Sequence, residues 1–548
     1  MRRPTALSGS RWQRPAAAFA LLAITVFTYL PAFRGGFVWD DDDYVTENPA
    51  LRSLDGLRRI WFERGATTQY YPLTYTTFWV EYRIWGLNPA GYHAVNIFLH
   101  GANAILFWTI LRRLSLPGAW FAAALFAVHP VHVESVAWIT ERKNTLSGLL
   151  YLLAALAYLR VRPLTESPSP RARTPWVCYV LSLLAYVAAL MAKTTTISLP
   201  AAILLIVWWK HRRLTVRDLG AVSPFFALAL LCGLVTYVQE SDLVRSIRHE
   251  YPFTPLERCL LAGRILWFYL GKLALPAGLN FVYPRWQIST AVWWQYLYPL
   301  AAVGVLATLW LARNRLGRGP LIALLYFAGT LFPVLGFMNY YYMRYTFVAD
   351  HFQYLPSLSI LALASAAATR LLQRLGPTWT RGGPAFAAMI LGAMAWISAR
   401  QTLIYRDIET LWRSVVARDP ASWIGNYNLA DHLIHTGRTA EAIPYLEQAA
   451  RTRPDDVESW NNLAAAFLET GRLDDAFQTF QTGLQIDPND AYIHANLGVL
   501  YSRRGEHDKA IRHYRRALEI DPELETVRRN LNILLQRQHS PASLPTVP

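Results

Sequence analysis

From residue 16 onward, long apolar runs alternate with short polar loops. The apolar runs cover about 16–33, 92–111, 117–131, 145–161, 175–192, 194–209, 219–238, 291–312, 320–337, 352–369 and 383–400. A helix of ~20 apolar residues crosses the hydrocarbon core of a bilayer. The runs therefore predict eleven membrane spans, the first uncleaved. One more stretch, 257–275, is apolar but brief, and is expected to be interfacial or re-entrant. Lys and Arg collect in the loops LRRLSLPG, RVRP…RARTP, KHRRLTVRD, ARNRLGRG and TRLLQRLG. Positive loops stay in the cytoplasm. All five do so only if the N-terminus is cytoplasmic and 257–275 does not cross, which puts the C-terminal part outside the cytoplasm.

Past residue 403 the pattern changes. Gly437, Gly471 and Gly505 lie 34 apart, as do Pro454, Pro488 and Pro522, Leu429, Leu463 and Leu497, and Ala442, Ala476 and Ala510. This helix-turn-helix period is the tetratricopeptide (TPR) signature. The expected organisation is a membrane domain over 1–403, with a first outer loop at 34–91, and a repeat domain over 404–538. The repeat domain holds a partial repeat, three full repeats and a closing helix, and a disordered tail follows at 539–548. The fold class is all-α: a polytopic helical bundle followed by a soluble α-solenoid.

Composition agrees with this pattern. The chain has 548 residues, 53% of them hydrophobic, and only 16% charged, where a soluble domain has ~25%. A net charge of +16 would otherwise suggest nucleic acid. The basic residues sit in short loops, so they carry topology, and no nucleic-acid partner is expected. Cys178, Cys232 and Cys259 lie in or beside apolar stretches without ligand spacing.

The candidate chemistry gathers beside the spans. FVWDDDDYVTENP places Asp40, Asp41, Asp42 and Asp43 directly after the first span. Carboxylates avoid hydrocarbon, so these face water or line a polar cavity between helices. They read either as a solvated acidic loop or as the source of a catalytic base. His93, Asn96, His100 and Asn103, spaced 3, 4 and 3, share one face of the second span. Such a stripe serves interhelical hydrogen bonds or a substrate. His129, His132 and Glu134 resemble a metal-ligand cluster, but Pro130 breaks the helical spacing and no third ligand is defined. Arg142 and Lys143 suit a phosphate. In the repeats, Asn428, Asn462, Asn496 and Asn530 share one phase. Asn is a poor helix former, and an amide carries both donor and acceptor. The row can bind an extended peptide backbone or link helices within the repeats, and it is similar to the asparagine row in the repeat domain of the nucleocytoplasmic O-GlcNAc transferase.

Taken together, FVWDDDDYVTENP, YYPLTYTTFWVEYRIWGLNPAGYHAVNIFLH, FAVHPVHVESVAWITERKN, MAKTTTISLP, VADHFQYLPS and the repeats resemble the transmembrane-and-TPR protein O-mannosyltransferases and their bacterial relatives, with a GT-C membrane fold. The resemblance covers nearly the whole chain. The family's paired acid falls on Asp40 and Asp41, its His-Pro-x-His-x-Glu segment on His129, His132 and Glu134, its following Arg on Arg142, its Lys on Lys193, and its later acid on Asp350. His351 stands where Arg is usual, and Tyr71 where many animal members have Arg.

The resemblance implies inverting transfer of a sugar, mannose by family, from a polyprenyl-phosphate carrier to Ser or Thr of a protein outside the cytoplasm. It implies an inner-membrane location with periplasmic repeats. Asp40 or Asp41, with Asp41 preferred, would take the hydroxyl proton. Arg142, Lys143, Lys193 and Arg344 would meet the phosphate, with His93, His129, His132, Glu134 and Asp350 lining the substrate site. The Asn row would hold the acceptor. No cofactor is required, although carboxylates could hold a divalent metal. Two other readings stay open: transfer to a glycan or lipid acceptor, and a non-catalytic membrane scaffold.

Overall fold

The structure, a computed structural model, describes residues 13–162, 175–239 and 253–539. The basic N-terminal residues 1–12, most of the RVRP…RARTP loop and the tail 540–548 expected to be disordered lie outside the described residues. The chain divides into two compact units, 1–411 and 412–548, and among the described residues it is helical without strands.

The first unit opens with α1 (Gln13–Thr28). A turn-rich segment follows, then α2 (Leu54–Phe62) and α3 (Pro72–Trp85). Local chemistry sets these boundaries. The Ser53 side chain accepts the Gly56 N–H at the start of α2, and Pro72 occupies the first turn of α3, where no N–H is needed. The outer loop has its own core of Tyr44, Leu51, Ile60, Tyr75, Phe78 and Tyr92.

Next come α4 (Pro89–Arg113), α5 (Ala119–Val128), the short α6 (Val133–Ala137) and α7 (Arg142–Val161). α5 and the following segment, Pro130–Ala137, are together long and apolar enough for one span and are bent by 53° at the break. Proline removes the N–H that would continue the ladder, which explains the break. Ala122, Ala123, Ala124 and Ala127 are buried on α5, and small residues let neighbouring helices approach closely. The unit continues with α8 (Pro175–Ala192), α9 (Leu199–His211), α10 (Val216–Gln239), α11 (Pro255–Ala274), α12 (Leu297–Leu311), α13 (Gly319–Leu331), α14 (Ser357–Leu375) and α15 (Pro377–Thr402).

Six helices among the described residues are long and apolar enough to cross a membrane, and seven if the bent pair counts. The eleven expected spans include four more: α1, α9 and α13, with 16, 13 and 13 residues, and α14, which carries Arg370, Gln373 and Arg374 in its second half. The 257–275 stretch is no hairpin. It forms α11, one continuous helix of 20 residues begun by a reciprocal Thr254–Glu257 cap. Glu257, Arg258, Arg264 and Lys272 keep it from being uniformly apolar.

The second unit follows α16 (Ile408–Arg418) with antiparallel pairs: α17 (Trp423–His435) with α18 (Thr439–Thr452), α19 (Val457–Glu469) with α20 (Leu473–Ile486), and α21 (Ala491–Arg503) with α22 (His507–Ile520). α23 (Glu525–His539) closes the array. The period extends to the caps. Ser422, Asp456 and Asp490 each accept a backbone N–H at the start of the first helix of a pair. Gly437, Gly471 and Gly505 adopt φ of 76°, 80° and 76° between the two helices, a conformation that a Cβ disfavours.

Candidate active site around Asp40

The acidic stretch folds into a tight turn. Asp41 and Asp42 N–H groups donate to the Val38 and Trp39 carbonyls, each at 3.1 Å. The Glu47 N–H then reaches back five residues to the Asp42 carbonyl at 2.9 Å. Trp39 is held at φ 48°. A non-glycine residue held there costs on the order of 1–3 kcal/mol and persists only where the surroundings fix it. Its ring stacks on Trp138 with centroids 5.6 Å apart, and meets Phe281 and Tyr345 edge-on at 5.3 and 5.6 Å.

The turn gives adjacent carboxylates opposite surroundings. Asp41 is wholly buried. One of its oxygens accepts the Val38 N–H at 2.8 Å, and the other accepts the Thr140 N–H at 2.8 Å and the Thr140 hydroxyl at 2.5 Å. This carboxylate ties the outer loop to the segment entering α7. Burial pushes it up to about 7 in spite of the three donors. Asp42 accepts the Thr46 hydroxyl at 2.8 Å, and Asp43 is exposed. Asp40 is half-buried, and among the described residues its carboxylate accepts no hydrogen bond. Burial pushes it up to about 6, while the Lys143 ammonium pulls it down. The geometry thus reverses the preference for Asp41: the carboxylate with an open acceptor face is that of Asp40.

A buried charged cluster acts on Asp40. Glu141 pairs with Lys143 at 3.0 Å and with Lys193 at 3.4 Å. Asn144 donates to Glu141 at 2.6 Å and to the His351 carbonyl at 2.9 Å, and it accepts from Lys193 at 2.7 Å. Desolvation lowers Lys193 to about 8. Glu134 accepts the His351 backbone N–H at 3.0 Å and its ring Nδ1–H at 2.8 Å. Two ammonium groups share the Glu141 carboxylate, and of these the Lys143 ammonium also acts on Asp40.

Other residues singled out from the sequence take structural positions. Arg142 is fully buried, donating to Glu81, to the Asn96 side chain and to the Tyr92 carbonyl. Its guanidinium is committed inside the fold and does not present itself to a phosphate. The HPVHVE cluster is pulled apart. His129 donates to the Leu273 carbonyl at 3.1 Å, His132 to the Phe126 carbonyl at 2.8 Å, and Glu134 serves His351. Among the described residues no three His, Cys, Asp or Glu side chains converge as metal ligands. Asp350 accepts the Tyr283 hydroxyl at 3.0 and 3.1 Å. Arg344 ends the 341–344 turn, next to Tyr345. The polar stripe on α4 mostly joins helices: Asn96 donates to the Trp138 carbonyl, and His100 and Asn103 both meet the Tyr354 hydroxyl. His93 differs, since neither ring nitrogen has a partner among the described residues, and it packs against Gly35.

The Asn row is half-buried. Asn428 donates to the Ile424 carbonyl on its own helix at 2.8 Å. Asn462 donates to Tyr427 at 2.9 Å and Asn496 to Asn461 at 2.9 Å, each reaching the preceding repeat. Asn530 bonds Tyr514. The donors of this row therefore serve the solenoid first.

Trp39, Asn144, Thr140 and Gln353 join the site without a sequence motif that marks them. Gln353 is fully buried, with neither amide atom partnered among the described residues. Only the run of Trp and Tyr around the acids could have signalled the aromatic wall. Nothing local marks Asn144 or Gln353.

The tetratricopeptide repeat family profile matches residues 408–448, 427–491 and 491–524. The chain is 26% identical to the protein O-mannosyl-transferase TMTC4 of Homo sapiens, over 77% of this chain and 64% of that one. It is 26% identical to TMTC1 of Homo sapiens over 82% and 56%, and 25% identical to Tmtc3 of Drosophila melanogaster over 82% and 57%. It thus spans about three fifths of the length of these relatives. Among solved structures, the apo Archaeoglobus fulgidus oligosaccharyltransferase aligns with a TM-score of 0.43 at 11% identity, over 77% of this chain and 60% of that one.

Proposed function

For this relative of the transmembrane protein O-mannosyl-transferases with TPR repeats, we propose that it transfers mannose from a polyprenyl-phosphate carrier to Ser or Thr of proteins outside the cytoplasm, on a GT-C membrane domain. The observation that carries this reading is Asp40: a carboxylate with an open acceptor face, close to the Lys143 ammonium, which itself lies over the Trp138 ring. A Ser or Thr hydroxyl is a weak nucleophile and needs a base within hydrogen-bond reach. Asp40 takes its proton as the oxygen bonds to the anomeric carbon. The bond from that carbon to the phosphate oxygen breaks, and polyprenyl phosphate leaves with the electron pair. Direct displacement inverts the anomeric carbon. Lys143 and Lys193, already facing each other across Glu141, stabilise the charge that develops on the phosphate. The half-buried Trp39 ring, backed by Trp138, offers an apolar face to the sugar. The repeats hold the acceptor.

The test is transfer of labelled mannose from polyprenyl-phosphate mannose to a Ser/Thr-containing protein acceptor by the full chain, wild type beside Asp40→Asn and Lys143→Gln. The expected result is label in protein, lost at least 100-fold in Asp40→Asn and reduced at least tenfold in Lys143→Gln. Undiminished transfer by Asp40→Asn would remove the assignment. Label in a glycan or lipid fraction would keep the site and change the acceptor.

A further inference from the structure

The membrane unit holds a cavity that Asp40 does not line. A groove of about 740 Å³ lies between α4, α7, α9, α13 and α14. Its inner wall is apolar, with Phe107, Tyr151, Leu199 and Leu358 among its lining. Lys210, Arg318, Arg370 and Arg374 also line it, and none of the lining residues is acidic. From Leu358 to Arg374 it follows 17 residues of α14, a rise of roughly 24 Å at 1.5 Å per residue. That exceeds one leaflet, which is about half of a ~30 Å hydrocarbon core. The cationic end lies at the far end of α4 from the Asp40 site. Asn96 meets the site segment, whereas Leu111 lines the groove, 15 residues or roughly 22 Å further on.

The cations are placed for an external partner. Lys210 donates to the Leu114 carbonyl and lies 4.1 Å over the Trp209 ring. Arg318 donates to the Trp208 carbonyl at 3.2 Å and the Arg212 carbonyl at 2.6 Å. Both are half-buried and retain N–H donors. Arg370 and Arg374 are exposed, one turn apart on the same face of α14. Like charges at that spacing repel. No protein carboxylate relieves them from nearby sequence, because residues 351–406 contain no Asp or Glu, and neither do 258–349. A basic pocket opening between membrane helices recognises anionic lipid headgroups, and apolar walls accept the chains.

We propose that this groove binds one anionic diacyl phospholipid of the leaflet at the basic end, its phosphate on Lys210, Arg318, Arg370 and Arg374 and its chains along α14. A carrier lipid seated with its phosphate here would hold a sugar too far from Asp40 to react, so the occupant is a phospholipid.

The experiment measures lipid retention by the purified full chain, by native mass spectrometry with phosphatidylglycerol, phosphatidylcholine and polyprenyl phosphate as probes. Arg370→Gln/Arg374→Gln changes exposed side chains only, and Ala366→Trp fills the groove. The wild type is expected to retain phosphatidylglycerol at least tenfold better than phosphatidylcholine. The double variant should lower that preference at least fivefold, and Ala366→Trp should lower retention of both phospholipids. Equal retention of the two by the wild type, an unchanged preference in the double variant, or unchanged retention in Ala366→Trp would overturn the proposal. Displacement of phosphatidylglycerol by an equal amount of polyprenyl phosphate would overturn the choice of occupant.

Discussion

Asp40 and Asp41 have the same side chain and adjacent places in the chain, yet their surroundings differ. Asp41 is wholly buried and receives three hydrogen bonds from Val38 and Thr140, which fill most of its acceptor sites. Asp40 has none of these and is held at about 6 by burial. A carboxyl raised above the usual range is protonated, and inactive as a base, below that value. If Asp40 is the base, kcat/KM should fall about tenfold per pH unit below pH ~6, level off above it, and fall again above pH ~8 as Lys193 loses its proton. An acid limb lying a full unit or more below pH 5 would exclude Asp40 as the titrating group. Arg142 makes the opposite case. Its ion pair with Glu81 is fully buried, and breaking such a pair costs ~3–5 kcal/mol because a charge is left uncompensated. Arg142→Ala is expected to lower the melting temperature and yield of the full chain sharply. A stable, well-folded Arg142→Ala variant with weakened donor binding would return Arg142 to the phosphate site.

Elements show where local sequence is sufficient and where it is not. Ser422, Asp456 and Asp490 cap, and Gly437, Gly471 and Gly505 turn, each from its own short stretch. The repeat was therefore legible residue by residue. Span limits were less so. Pro130 bends one expected span, and Thr194–Ser198 forms a tight turn where α9 was expected to have begun, because apolarity alone does not report backbone geometry. The Asn row was visible as a period, but its partners lie on neighbouring helices. Asn462 donates to Tyr427 across the repeat boundary, and a buried or half-buried hydrogen bond contributes ~1 kcal/mol. Asn462→Ala should destabilise the repeat unit by about that amount in hydrogen exchange. Wild-type exchange in Asn462→Ala, together with lost protein-acceptor binding, would instead make this row a peptide grip.

At the scale of the whole molecule, the sequence by itself determined the class of protein: an all-helical membrane domain, a 34-residue repeat array, and acids placed beside spans. These follow from hydropathy, period and local capping, which short windows of chain encode. Tertiary structure decided which charged residues gather around Asp40 and which are tied into the fold elsewhere. Glu141, Lys143, Asn144 and Lys193 meet His351 from segments more than 150 residues apart, while Arg142, inside the same motif, turns to Glu81. The basic groove likewise joins α9, α13 and α14, whose loops read in sequence only as a topology signal. Direction is the physical reason. Sequence fixes which side chain a position carries, but a helix turns successive residues to different neighbours, and only packing determines whether a charge meets a partner or an open cavity.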